Sequence, residues 1–117
     1  MKVDVYRNLT KAVWVIRARE GARKGRVVGY AERVAVTRCR LFVSERRRLA
    51  VVRSGRREVH AWVTGDLIAH PEDPPPGALA FSYNPFRGPG FYRCADGGPL
   101  PAAGTCWFIG ARAFAIP

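Results

Sequence analysis

The chain has 117 residues, 48% of them hydrophobic and 25% charged, and 20 lysines and arginines against nine acids give a net charge of +11. That length favours one domain with one modest core, and the composition excludes a disordered chain. The apolar runs are only a few residues long, far short of the roughly 20 that span a bilayer, and Lys2 is not followed by the apolar stretch of a signal peptide.

Residues 1–70 read as β. Residues 3–6 make a short apolar strand. Residues 13–19 alternate, with Trp14, Ile16 and Ala18 on one face and Val13, Val15, Arg17 and Arg19 on the other, and that period of two is the strand signal. Residues 20–25, punctuated by Gly21 and Gly25, read as the turn of a hairpin. The β-branched residues of 26–36 continue the pattern, and Gly29 marks a bulge. Residues 38–43 alternate again, placing Cys39, Leu41 and Val43 opposite Arg38, Arg40 and Phe42.

Residues 49–53 and 58–64 flank Ser54-Gly55-Arg56-Arg57 and read as a second hairpin. In its second strand Val59, Ala61 and Val63 take the core face, while His60 and Trp62 take the more polar one. No segment shows a helical stripe, and residues 43–50 have room for one turn at most. Three consecutive prolines make residues 71–77 a stiff break between a basic β body, 1–70, and a C-terminal segment, 78–117, packed on the same single domain. The apolar pieces of that segment fall at 78–83, 91–92, 106–109 and 113–116. The expected fold is all-β: a small barrel or sandwich of short antiparallel strands with a Gly/Pro-rich C-terminal appendage.

The positive charge is unevenly distributed. Residues 1–70 hold 17 of the 20 cations and six of the nine acids, and the remainder holds three of each, so the entire excess lies in the first part. Such a field favours an anionic partner. A high-GC genome would enrich arginine over lysine without selection for binding, but it does not account for the scarcity of arginine after residue 70. The expected anion contacts are Arg17, Arg19, Arg38 and Arg40 on strand faces and Arg46, Arg47, Arg48, Arg56 and Arg57 at loop or hairpin ends; Arg23, Lys24 and Arg26 surround the first hairpin turn. A guanidinium grips phosphate as a bidentate fork and stacks on bases. Trp62, Phe42, Tyr30 and Tyr83 are the candidate stacking or recognition residues.

His60 stands mid-strand beside Trp62, where an imidazole can act as a general acid or base, although a hydrogen-bonded structural histidine is the commoner case. The three cysteines lack zinc-site spacing, and their odd number fits reduced thiols. Cys94 and Cys106 are twelve apart and within reach of one another across a hairpin. No nucleotide-binding or hydrolase motif and no paired carboxylates are present, so no cofactor, no metal and no catalytic residue are expected. In Tyr83-Asn84-Pro85-Phe86-Arg87-Gly88-Pro89-Gly90-Phe91, Phe86 reads as an anchor that pins a special turn to the core, with a recognition tip as the other reading.

Met1-Lys2-Val3-Asp4-Val5-Tyr6-Arg7-Asn8-Leu9, Val59-His60-Ala61-Trp62-Val63-Thr64-Gly65 and Tyr83-Asn84-Pro85-Phe86-Arg87-Gly88-Pro89 resemble segments of small phage-encoded proteins, over most of the chain up to about residue 93. The resemblance implies a phage or prophage gene acting in a bacterial cytoplasm and brings no active site with it. Together these observations lead to the expectation of a non-enzymatic accessory protein that binds nucleic acid or a host nucleoprotein through an arginine-rich face. The alternatives are a stoichiometric inhibitor of a host defence complex, acting on an acidic protein surface, and a metal-independent ribonuclease centred on His60.

Overall fold

The computed structural model describes residues 1–8 and 10–117; Leu9, which closes the first of the phage-like strings, lies outside them. Nine strands and one helix follow in the order β1 (Lys2–Asn8), β2 (Val13–Ala18), β3 (Val27–Ala31), β4 (Arg33–Val43), α1 (Glu45–Ser54), β5 (Ala61–Leu67), β6 (Leu79–Tyr83), β7 (Phe91–Arg93), β8 (Thr105–Ile109) and β9 (Arg112–Ile116). All strands join one antiparallel sheet in the order β3-β2-β1-β5-β4-β8-β9-β6-β7. The fold is all-β, as expected, and the sheet does not close into a barrel.

The sheet buries its apolar face against itself. In a flat sheet the four steps from β2 to β8, at about 4.8 Å each, would separate them by roughly 19 Å. The rings of Trp14 on β2 and Phe108 on β8 nevertheless lie 4.7 Å apart. Arg7 Nη1 and Trp14 Nε1 both donate to the carbonyl of Gly110, in the β8–β9 turn, at 2.7 and 2.8 Å. The curl encloses a core of Val3, Val5, Trp14, Val34, Val36, Val63, Phe81, Phe91 and Phe108, with Ile16, Leu41 and Val43 packed at its margin. The alternation in β2 therefore assigns Trp14 and Ile16 to the core, and that in β4 assigns Cys39, Leu41 and Val43 to it.

Residues 49–53 are not a strand, and no hairpin turns at Ser54-Gly55. They belong to the helix α1, and residues 58–60 precede β5 rather than opening it. The reason is end chemistry. Ser44 caps the first turn by accepting from Arg47 N, Glu45 stands in that turn, and Arg53 lies in the last. Gly55 supplies the left-handed residue, φ +66°, that lets its N–H close on the Val51 carbonyl. No residue of α1 is buried, so there was no apolar stripe to read.

The expected strand 26–36 is two strands, β3 and β4, with Glu32 between them, and residues 38–43 continue β4 instead of starting afresh. Register slips near Gly29, where Ile16 pairs with Gly29 and Arg17 with Val27, leaving Val28 as the extra residue. A second slip lets β4 run through 11 residues. Thr37 pairs with Asp66 and Arg40 with Thr64, so Arg38 and Cys39 stand opposite Gly65 alone. Arg38 takes φ +51° to absorb the added residue.

Gly65 is the tightest point of this bulge. A Cβ there would stand 2.8 Å from the Thr37 carbonyl oxygen and 3.0 Å from Val36 Cβ. Gly65→Ala is expected to destabilise the fold by about 1–3 kcal/mol in chemical denaturation, the usual cost of overpacking. Gly29→Ala is the control, because its Cβ would meet only Ile16 Cδ1, at 3.9 Å; its stability should stay within about 0.5 kcal/mol of wild type.

Candidate functional site

The face turned away from the core carries the strand arginines. Register places Arg17 of β2, Asp4 of β1, Thr64 of β5 and Arg40 of β4 in one row across four adjacent strands. Asp4 is 1% exposed and is the row's anchor. Its carboxylate accepts from Arg17 Nη2 at 2.9 Å and Thr64 Oγ1 at 2.7 Å, and lies 3.5 Å from Arg19 Nη1. A buried carboxylate is tolerated only when paired and hydrogen-bonded in this way. In the neighbouring row Lys2 pairs with Asp66, which holds Arg38 Nε at 2.7 Å. Arg40 is exposed and has no ion-pair or side-chain hydrogen-bond partner among the described residues.

This outer face therefore gathers Lys2, Arg17, Arg19, Arg38 and Arg40 around Asp4 and Asp66, with Glu20 accepting from the Lys2 backbone N–H at 2.9 Å. The β2–β3 hairpin adds Arg23, Lys24 and Arg26 beside it, all exposed. Aromatic side chains flank the arginine row. Tyr6 and Tyr30 both pair with Val15 from opposite sides, and the Arg17 guanidinium sits 5.7 Å over the Tyr6 ring. Phe42 and Trp62 pair across β4 and β5 and stack at 6.1 Å.

The remaining candidate arginines form a separate group at the helix. Arg47 and Arg56 approach Glu58 at 3.3 and 3.8 Å and, with Arg46, border a shallow recess of about 210 Å³. Arg57 is exposed, with no ion-pair or side-chain hydrogen-bond partner among the described residues. Arg48 is already engaged: it grips Glu45 with two nitrogens at 2.9 and 2.6 Å and donates to the Pro85 carbonyl at 2.6 Å. That last bond ties α1 to the β6–β7 loop.

Phe86 is not an anchor. It is 72% exposed, because polar bonds hold its loop instead. Asn84 Oδ1 accepts from Phe86 N at 2.9 Å, Asn84 O accepts from Arg87 N at 3.1 Å, and Arg87 both donates to the Gly97 carbonyl and stacks 4.1 Å over Tyr92. With its turn fixed from below, Phe86 is left free to project.

A cleft of about 1230 Å³ opens beside the outer face. The ladder between β1 and β5 ends at Val5 and Val63. Beyond it Tyr6–Asn8 and Glu58–Trp62 both line the opening, its floor reaches the core at Trp14, Phe81, Phe91 and Phe108, and Phe86 stands on its wall. Three side-chain polar atoms are buried with no hydrogen-bond partner among the described residues: His60 Nε2, Trp62 Nε1 and Tyr83 Oη. All three residues line this cleft. Each such atom costs on the order of 1–3 kcal/mol when left unpaired. His60 Nδ1 lies 2.9 Å from the Glu58 carbonyl oxygen, which can only accept, so Nδ1 carries the proton and Nε2 of the neutral ring is an acceptor. The His60 and Tyr83 rings are 5.3 Å apart. Burial pushes the Tyr83 phenol up to about 12, opposed by the Arg48 charge.

A family model described as the Mycobacterium phage L5 gene 82 protein matches residues 1–116. The chain belongs to this family. Its phage character is thus shown over the whole chain, including the segment after Cys94 in which no resemblance was expected. No curated protein and no solved structure matches the chain.

This member of the phage family holds no cluster of His, Cys, Asp or Glu suited to a metal among its described residues, and none of its described helices is long and apolar enough to cross a membrane. Cys106 is buried and Cys94 exposed, and the thiol beside Cys106 is that of Cys39 on β4. The hydrogen bond between these two lowers the Cys39 pKa and, together with burial, raises that of Cys106. No carboxylate is hydrogen-bonded to His60 among the described residues.

Removing the Asp4 carboxylate strands Arg17 and Thr64 together. Asp4→Ala is expected to cost about 3–5 kcal/mol of stability in chemical denaturation. The Tyr83 phenol titrates higher folded than unfolded, so its contribution is full below the unfolded value near 10 and is lost as pH rises through about 12. Absorbance at alkaline pH should show a late tyrosinate transition that Tyr83→Phe removes.

Proposed function

We propose that this phage-family protein acts by binding and that its outer sheet face meets the sugar–phosphate backbone of nucleic acid. The observation that carries this reading is the row Arg17–Asp4–Thr64–Arg40, in which Asp4 holds Arg17 in place, Arg40 is exposed, and aromatic rings stand at the border. Asp4 holds Arg17 through a single nitrogen, which leaves the other guanidinium donors for a phosphate oxygen. An arginine already held in place loses less conformational freedom on binding than a mobile one. Tyr6, Tyr30, Trp62 and Phe42 add flat surfaces on which unpaired bases stack, and this favours a single strand over a duplex.

A host nucleoprotein that offers the same phosphate surface satisfies the same chemistry. A purely acidic protein groove would use the arginines and leave the aromatic rings without a role. The decisive measurement is affinity for single-stranded RNA, single-stranded DNA and duplex DNA across about 50 to 200 mM salt. Affinity should fall linearly on a log–log plot and be greatest for a single strand. Absence of binding at the low-salt end overturns the reading, and a partner captured from host lysate that survives nuclease treatment would favour the acidic-protein alternative.

Arg40→Gln isolates one contact, because Arg40 makes no ion pair among the described residues. The variant should fold normally, bind all sequences more weakly, and lower the salt slope by about 0.7 on a single strand.

A further inference from the structure

We infer that the cleft between β1 and the segment leading into β5 is a nucleotide site, which takes one unstacked base against its aromatic wall and places the attached phosphate on Arg57. The inference rests on the nucleic-acid reading of the adjoining face for the source of the nucleotide, and it adds a pocket that the arginine row does not need.

Three observations converge on it. The first is the donor and acceptor set. His60 Nε2 offers an acceptor, Trp62 Nε1 a donor, and Tyr83 Oη either; all three are buried and without partners among the described residues. A nucleobase edge carries donors and acceptors side by side and answers such a mixed set. A purely apolar side chain would leave all three unanswered. The second is the wall chemistry. Phe86, 72% exposed on the wall of the cleft, offers an open ring face that holds a heterocycle by stacking, while the core rings of Trp14, Phe81, Phe91 and Phe108 give it an apolar floor. The third is charge at the rim. Arg56 and Arg57 both border the cleft, against Glu58 alone. Glu58 already holds Arg56 and Arg47, which leaves Arg57 for a phosphate.

The cleft also opens where such a ligand would arrive. Trp62 and Tyr6 stand on the outer face by strand register and line the cleft as well. A strand lying along Arg17 and Arg40 therefore passes the opening, and one base can turn inward there. The volume of about 1230 Å³ exceeds the usual range for a small-molecule pocket, so a nucleotide with its flanking sugar and phosphate fits.

The test uses the full chain and three probes: a short strand whose sites are all abasic, the same strand carrying a single 2-aminopurine base, and the free 2-aminopurine nucleotide. At about 50 mM salt the single base should raise the affinity of the abasic strand by roughly fivefold or more, and its fluorescence should change on binding. Tyr83→Phe keeps the ring and removes the polar atom; it should cut the gain from the base while leaving affinity for the abasic strand unchanged. Arg40→Gln should do the reverse. Equal affinity of wild type for the two strands, with no change in fluorescence, overturns the cleft inference and leaves only the phosphate contacts of the outer face standing, and this comparison requires no variant to fold; a gain from the base that Tyr83→Phe leaves intact places the base on the outer-face rings and likewise overturns the cleft. If neither strand binds, the outer-face reading fails. In that event the free nucleotide decides the cleft: binding that Tyr83→Phe weakens supports it as a site for a free nucleotide, and no binding, or binding that Tyr83→Phe leaves unchanged, overturns it.

Discussion

A single β-sheet has two faces, and this chain supplies no helical layer to cover either of them. The one helix among the described residues, α1, buries no residue. The apolar face must therefore be buried against itself, and the rest of the structure follows from that constraint. The curl that brings Trp14 to Phe108 creates the core, and the Gly110 carbonyl, shared by Arg7 and Trp14, pins the two sides together. Bulges near Gly29 and at Arg38–Cys39 supply the local bend and twist that a flat ladder lacks. Gly65 matters because only a residue without a side chain lets β5 lie under the second bulge.

The same constraint separates two kinds of surface. Turning the apolar residues inward turns the opposite residues of β2, β1, β5 and β4 outward, and those residues are rich in arginine. Crowding cations on one face is unfavourable unless something offsets it, and Asp4 and Asp66 do so at the centre of the patch. Asp4 thus acts on stability, by holding the arginines of this face in place. The cleft is the other consequence. A curled sheet with free edges need not close evenly, and here the β1–β5 ladder ends at Val5 and Val63, so the core is reached from outside between the diverging ends.

Much of this was legible wherever side chains obey a short period. Alternation along residues 13–18 and 39–43 places Trp14, Ile16, Leu41 and Val43 toward the core because the strand period is two, whereas the burial of Val15 on the opposite face, at 2% exposure, was not legible from it. The four apolar pieces after residue 77 are the four strands β6–β9. The helix was not legible by the same means, because it has no apolar stripe. Its signal lay in the spacing of Ser44, Glu45 and Gly55, which is end chemistry rather than periodicity. Phe86 was misread for a related reason: an aromatic in a tight loop suggests an anchor, but the bonds of Asn84, Arg48 and Arg87 already hold that loop.

The sequence by itself determined the all-β class, the inward and outward residues of the regular strands, and the concentration of positive charge in the first 70 residues, because each depends on composition or on near neighbours in the chain. Only the tertiary structure decided which of those charges stand together. Arg17 and Arg40 meet in one row because β1 and β5 come between their strands, an order that sequence spacing does not reveal. It also decided that Arg48 is spent on holding a loop, and that His60, Trp62 and Tyr83 share one cleft. Strand order and curl arise from contacts between residues far apart in the chain, and those long-range contacts convert a basic, strand-rich sequence into a particular surface.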